Sequence, residues 1–162
     1  MHGDILRHAM TTLAQAREAV DYYQSRFRHP ALDRFDVAPL YALFPEPDWP
    51  RESGWLGAYP YPTRAGVYLI FDKDKNLLYV GKADGESGIG GRLSAHFHYG
   101  PNRECSIVGE SLRLAAFVLV VAVSEESWFE ACSLEAFLIS RLAPAVNKMG
   151  KPAPKASATA AP

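Results

Sequence analysis

GVYLIFDKDKNLLYV (residues 66–80) holds two short runs rich in β-branched and aromatic residues, GVYLIF at 66–71 and LLYV at 77–80, around a polar DKDKN turn. Runs of that length and composition on either side of a polar turn predict a β-hairpin. Downstream, a glycine-bearing loop leads to RLSAHFHY at 92–99, which fits a helix, and AAFVLVVAV at 115–123 reads as a third, buried strand. Residues 125–142 form a second long helix stopped by Pro144. The order β-β-α-β-α predicts an α+β domain: a small three-stranded, mainly antiparallel sheet flanked by helices.

Upstream of the hairpin the texture changes twice. Residues 4–28 fit a helix capped by Asp4, with Leu6, Leu13, Val20 and Phe27 at seven-residue intervals and Met10 between the first two. Such a stripe packs on the chain's own core, with a dimer seam as the alternative. Residues 29–63 carry most of the prolines together with Phe35, Tyr41, Phe44, Trp49, Trp55 and Tyr59, and show no clean period. That is too aromatic for a disordered linker, so an ordered arm wrapped over the domain is expected. The tail KPAPKASATAAP is low-complexity and expected to be disordered. The chain thus divides into a helix and arm over 1–63, a central domain over 64–149 and a tail over 150–162.

The totals exclude several classes. With 162 residues, 48% hydrophobic and 22% charged, the chain fits one globular domain. A net charge of −1 argues against a broadly basic surface gripping nucleic acid without specificity. Two cysteines, Cys105 and Cys132, lack the spacing of a disulfide framework or a zinc site. No apolar run is long enough for a membrane span, and the N-terminus carries acid and histidine where a signal peptide would be basic and then apolar. A cytoplasmic protein is expected.

The glycine loop invites comparison with phosphate cradles, and fails it. A P-loop needs glycine where Asn76 stands and Ser or Thr where Ala83 stands. A dinucleotide fingerprint read from Gly88 and Gly90 needs glycine at Leu93, and no βαβ unit surrounds it. What remains is a scattered constellation. Arg92 and His96, four apart, share one face of the expected helix, with Tyr99 near the histidine side and Leu93 and Phe97 on another face. Tyr68 and Tyr79 are ordinary strand residues by propensity. Glu135 is the anomaly. With residues 126–142 wound at about 100° per residue, Glu126, Ser127, Glu130, Ser133, Ser140 and Arg141 cluster on one side. Glu135 falls about 170° away, on the stripe of Ala131, Leu138, Ile139 and Leu142. A carboxylate there must be paired, protonated or bound to a metal.

Taken together, these residues resemble the GIY-YIG nuclease family. Its first motif is matched by Gly66-Val67-Tyr68 and its second by Tyr79-Val80-Gly81, with valine at both isoleucine positions. Its arginine, and the histidine or tyrosine four residues on, match Arg92 and His96; its glutamate matches Glu135, and its terminal asparagine Asn147. The resemblance covers about 66–148, and YVGKA with a glycine-bearing insertion looks most like the restriction-endonuclease branch.

The resemblance implies hydrolysis of DNA phosphodiester bonds with one divalent cation, Mg²⁺ or Mn²⁺, held by Glu135 and no organic cofactor. Tyr68 would be the general base, its pKa lowered by the metal, Arg92 or Lys82. Arg92 would grip the phosphate. Tyr79 and His96 would hydrogen-bond the water, the phosphate or Tyr68. Asn147 would orient Glu135 or the strand end. Lys82 is a further candidate phosphate contact, and Gly81 lets nucleic acid or backbone come close. The charge balance is unhelpful for a DNA-binding protein, with Asp84, Glu104 and Glu110 near the site; recognition by a homodimer, or through a few well-placed contacts, would reconcile it. Two alternatives stay open: a non-catalytic binding module on the same fold, and a nuclease acting on RNA or branched DNA.

Overall fold

The computed structural model describes residues 10–44, 59–99 and 105–150. Asp4 and Leu6, the arm's Trp49 and Trp55, Glu104 and the tail from 151 lie outside them. The elements run α1 (Leu13–Arg26), β1 (Asp36–Val37), β2 (Tyr41–Ala42), β3 (Gly66–Phe71), β4 (Leu77–Ala83), α2 (Gly88–His96), β5 (Phe97–Tyr99), β6 (Cys105–Ile107), β7 (Phe117–Ala122) and α3 (Glu130–Leu142). Short 3₁₀ turns occupy Glu110–Leu112 and Glu125–Ser127.

The expected three strands form the heart of one antiparallel sheet, with β3 between β7 and β4. The arm then adds to it: β1 and β2 both pair with the outer edge of β7. The sheet therefore has five strands, and β4 is left as an edge. Strand alternation sorts the side chains onto two faces. Val67, Leu69, Phe71, Val80, Leu119 and Val121 pack with α1 and α3 in one core. Tyr68, Ile70, Val118, Val120 and Ala122 pack with Ile89 and Leu93 of α2 and with Phe97 in the other. β3 and β7 are buried on both faces, which is why they read as continuous apolar runs.

Several sequence expectations change. The first helix begins at Leu13, where Thr12 and Gln15 form a capping box; Thr11 instead accepts a hydrogen bond from the Leu77 N–H at 2.7 Å. Its buried face is Ala16, Ala19, Val20 and Tyr23, the two alanines letting α1 lie close to α3, while Phe27 caps the helix and is 60% exposed. The helix expected at 92–99 starts earlier, at Gly88, and ends at His96; Phe97–Tyr99 turns extended and pairs with Cys105–Ile107. Finally, Glu130 does not sit on a solvated face. It is 8% exposed and held by Arg28, whose Nε donates to it at 2.5 Å and whose second nitrogen donates at 3.1 Å. The helix expected at 125–142 starts later, at Glu130, after the 3₁₀ turn at Glu125–Ser127, and ends as expected before Pro144, with Ala143 in the left-handed region.

Among the described residues, no helix is long and apolar enough to cross a membrane.

Candidate active site

The site is assembled around the edge strand β4. Register places Tyr68 directly opposite Gly81, and Ile70 opposite Tyr79, so Tyr68 and Tyr79 project from the α2 face of the sheet. Val67 pairs with Lys82 and Leu69 with Val80, which sends Lys82 to the α3 face. Arg92 and His96 come from α2, Glu135 from α3. The two faces meet at the open edge of β4, where Tyr68 feels Tyr79, Arg92 and Glu135, and Glu135 feels Lys82 and Arg92.

Tyr68 is the centre. Its side chain is fully buried, and its hydroxyl lies 3.1 Å from Nε2 of His96. The rings of Tyr68, Tyr79 and His96 form a triangle with centroids 5.7–6.2 Å apart. Burial pushes the Tyr68 phenol well above its ordinary pKa, and Tyr79 adds to the rise; the Arg92 guanidinium opposes both, and Glu135 pushes upward again. Burial pulls His96 down, and the charge of Arg92 pulls it further. The pair at neutral pH is therefore a neutral phenol against a neutral imidazole.

Gly81 has a reason that the sequence does not display. A Cβ there would stand 2.5 Å from the Tyr68 hydroxyl and 2.8 Å from Cε2. The space is taken by the phenol, so the close approach expected for nucleic acid at this glycine belongs to Tyr68 instead. The loop glycines have a similar explanation. The N–H groups of Ile89 and Gly90 donate to the carbonyls of Arg64 and Pro62 at 3.0 and 2.8 Å, and a Cβ at Gly88 or Gly90 would strike that same backbone. The start of α2 is thus closed by protein.

Glu135 is half-buried beside the stripe of Ala131, Leu134, Leu138 and Ile139, and makes no hydrogen bond or ion pair within the described residues. Burial raises its pKa above the ordinary carboxylate value; Lys82 draws it back, Asp84 raises it, and Arg92 lowers it. No three His, Cys, Asp or Glu side chains converge among the described residues. A single unpaired carboxylate fits a hard cation that completes its shell with water and phosphate oxygen, as Mg²⁺ and Mn²⁺ do.

Asn147 holds the strand rather than the glutamate. Its side chain accepts from the Val80 N–H and donates to the Val80 C=O, both at 2.9 Å, and Val146 N–H donates to the Leu78 carbonyl at 2.8 Å. These bonds close the edge of β4 between Tyr79 and Gly81. Tyr99 lies apart from the site: on β5, its hydroxyl donates to the Leu43 carbonyl at 3.3 Å. Sequence reasoning gave no part to Cys132, which reaches Asp84 from α3.

The tyrosine wedged opposite a glycine, the histidine on its hydroxyl, and the arginine and carboxylate at one sheet edge are the residues that the GIY-YIG resemblance singles out, and the fold brings them together. The comparisons by sequence agree and are more specific. A family model described as the UvrC-like GIY-YIG domain matches residues 64–148, and the chain belongs to that family. Relatives named UvrABC system protein C are similar to part of the chain. That of Lachnospira eligens is 32% identical over 90 residues, 56% of this chain and 14% of the relative. That of Helicobacter pylori strain P12 is 34% identical over 92 residues, 53% and 15%. That of Bradyrhizobium diazoefficiens is 33% identical over 115 residues, 62% and 16%. The chain therefore spans only a small part of these relatives. The finer placement beside the restriction endonucleases finds no support in these matches. No solved structure matches the chain.

Proposed function

We propose that the chain is a metal-dependent endonuclease that hydrolyses phosphodiester bonds of DNA. The observation that carries this is the buried Tyr68 hydroxyl, 3.1 Å from His96 Nε2 and beside Arg92. A phenol whose pKa is raised by burial is a poor store of negative charge, which makes it a weak general base on its own. Paired with a neutral imidazole, it does not need to store charge. As the attacking water gives its proton to the Tyr68 oxygen, Tyr68 passes its own to His96 Nε2. This needs the tautomer with the resting proton on Nδ1.

Arg92, exposed on α2, grips two oxygens of the phosphate and orients it for in-line attack. Tyr79 packs against the imidazole and fixes its plane. Asn147 keeps the β4 edge, and with it the position of Tyr79 and Gly81, from fraying. Glu135 would hold the cation, Mg²⁺ or Mn²⁺, which when bound supplies positive charge against that building on the scissile phosphate and the leaving 3′ oxygen.

The test is cleavage of supercoiled plasmid, duplex and branched DNA, and RNA, with and without Mg²⁺ or Mn²⁺. Wild type is run beside Glu135→Ala, Tyr68→Phe and His96→Phe. DNA nicking that needs the metal and is lost in all three variants supports the proposal. Nicking that survives chelation or Glu135→Ala refutes the metal role, and full activity of Tyr68→Phe refutes the proton path. Cleavage confined to RNA or branched DNA corrects the substrate.

A further inference from the structure

A second cluster lies where β4 ends and α3 passes over it. The Lys82 ammonium donates to Oδ2 of Asp84, and the Cys132 thiol donates to the same oxygen at 3.2 Å. Lys82 and Asp84 are two apart at the end of an extended strand, so they point to one side, the side facing α3. Cys132 precedes Glu135 by three residues on α3, which puts both on neighbouring positions of that helix. The charge of the lysine is felt at Glu135.

An acid at this rim would repel a polyanionic substrate unless it served a cation. The pair adds little to folding, because Lys82 and Asp84 are 31% and 36% exposed and water screens such pairs. What it does is place a side chain with a flexible four-carbon stem. One N–H of the ammonium goes to Asp84 and Cys132 stands within reach of a second, which leaves one for a further acceptor.

We propose that Asp84 is a positioning residue: braced from α3 by Cys132, it holds the Lys82 ammonium beside Glu135, where the lysine meets the substrate phosphate. This rests on the site being a phosphodiester-cleaving one. Asp84 then acts on the substrate through Lys82, beside its direct charge effect on Glu135, and the coupling to Lys82 is measurable.

The experiment is a double-mutant cycle on kcat/KM for metal-activated duplex cleavage, using Asp84→Asn, Lys82→Met and the double variant. Asp84→Asn is expected to lower kcat/KM about tenfold, and to bring no further loss once Lys82 is methionine, the signature of coupled residues. Asp84→Glu restores most of the loss, and the melting temperatures of all variants stay close to wild type. A second readout needs no cleavage: with Cys105→Ser as background, iodoacetamide alkylates Cys132 severalfold faster in Asp84→Asn, because its hydrogen-bond acceptor has lost its charge. Additive losses in the cycle, or equal alkylation rates, overturn the proposal. If wild type cleaves nothing while the alkylation rates still differ, the nuclease function is what has failed, and the role of Asp84 falls with it.

Discussion

Gly81→Ala adds one methyl group at the position that the structure makes most sensitive to it. Gly81 has no left-handed backbone, so alanine meets no conformational penalty and, in a strand, should gain roughly 0.5–1 kcal/mol over glycine. Against this, the new Cβ lands 2.5 Å from the Tyr68 hydroxyl and 2.8 Å from Cε2. The ring cannot simply swing aside, because it is fully buried among Ile89, Leu93 and Phe97. Overpacking of this kind costs about 1–3 kcal/mol, which outweighs the backbone gain. A net loss of about 1–2 kcal/mol corresponds to a fall in melting temperature of roughly 2–8 °C for a chain of this size.

The effect on activity should be larger than the effect on stability. To clear the methyl, the phenol must shift by about 1 Å, which breaks a 3.1 Å hydrogen bond to His96 and misplaces the proton acceptor. Displacement on that scale costs on the order of 100-fold in rate. Thermal melts followed by circular dichroism and plasmid-nicking rates on the same preparations test this. Gly81→Ala with wild-type melting and wild-type nicking would refute the steric account. Lost melting with intact nicking would show that Tyr68 moves without consequence.

Glu135→Gln should abolish metal-dependent cleavage while stabilising the metal-free protein at pH 7.5 by about 1 kcal/mol, since it removes a half-buried charge with no hydrogen-bond partner among the described residues. The pH sign follows: its folded pKa is raised, so the wild type regains that stability as pH falls toward the carboxylate range, and the variant's advantage shrinks there. Asn147→Ala removes two hydrogen bonds to Val80, which should cost about 1–3 kcal/mol and speed amide exchange at Val80; unchanged exchange would refute the edge-clamp role. Arg28→Ala leaves Glu130 buried and unpaired, a loss of about 3–5 kcal/mol by denaturant titration, yet the protein that remains folded should nick DNA normally.

The hairpin, the strand at 117–122 and the long helix after it were legible because each advertises its own period or length. The two short strands of the arm were not. Each has two residues and exists only because the edge of β7 accepts it, a tertiary fact with no local pattern. The same holds for Phe97–Tyr99: Leu93 and Phe97 are both buried, as a helical i, i+4 pair would be, but Phe97 reaches the core from a strand paired with Ile107. The first helix misled in another way. Its real core face is built largely on Ala16 and Ala19, which give almost no hydrophobic signal beside Leu13 and Phe27. Glu135 stood out from its helix by angle alone, whereas Glu130 looked solvated because its partner, Arg28, is 102 residues away.

The two sequence motifs are best understood as one physical object. Tyr68 closes the first and Gly81 the second, and the sheet register sets them face to face, so the tyrosine of one motif fills the missing side chain of the other. Counting back from the turn would not have found this pairing, because the register shifts between Ile70 and Phe71 and leaves Leu78 unpaired. The packing that fixes the phenol to a fraction of an ångström is the packing that raises its pKa and lowers that of His96. A site that needed a free phenolate would be harmed by such burial. One that relays the proton onward avoids the phenolate, and the imidazolium formed in its place needs the negative charge of the substrate phosphate to offset the burial and the Arg92 charge that disfavour it.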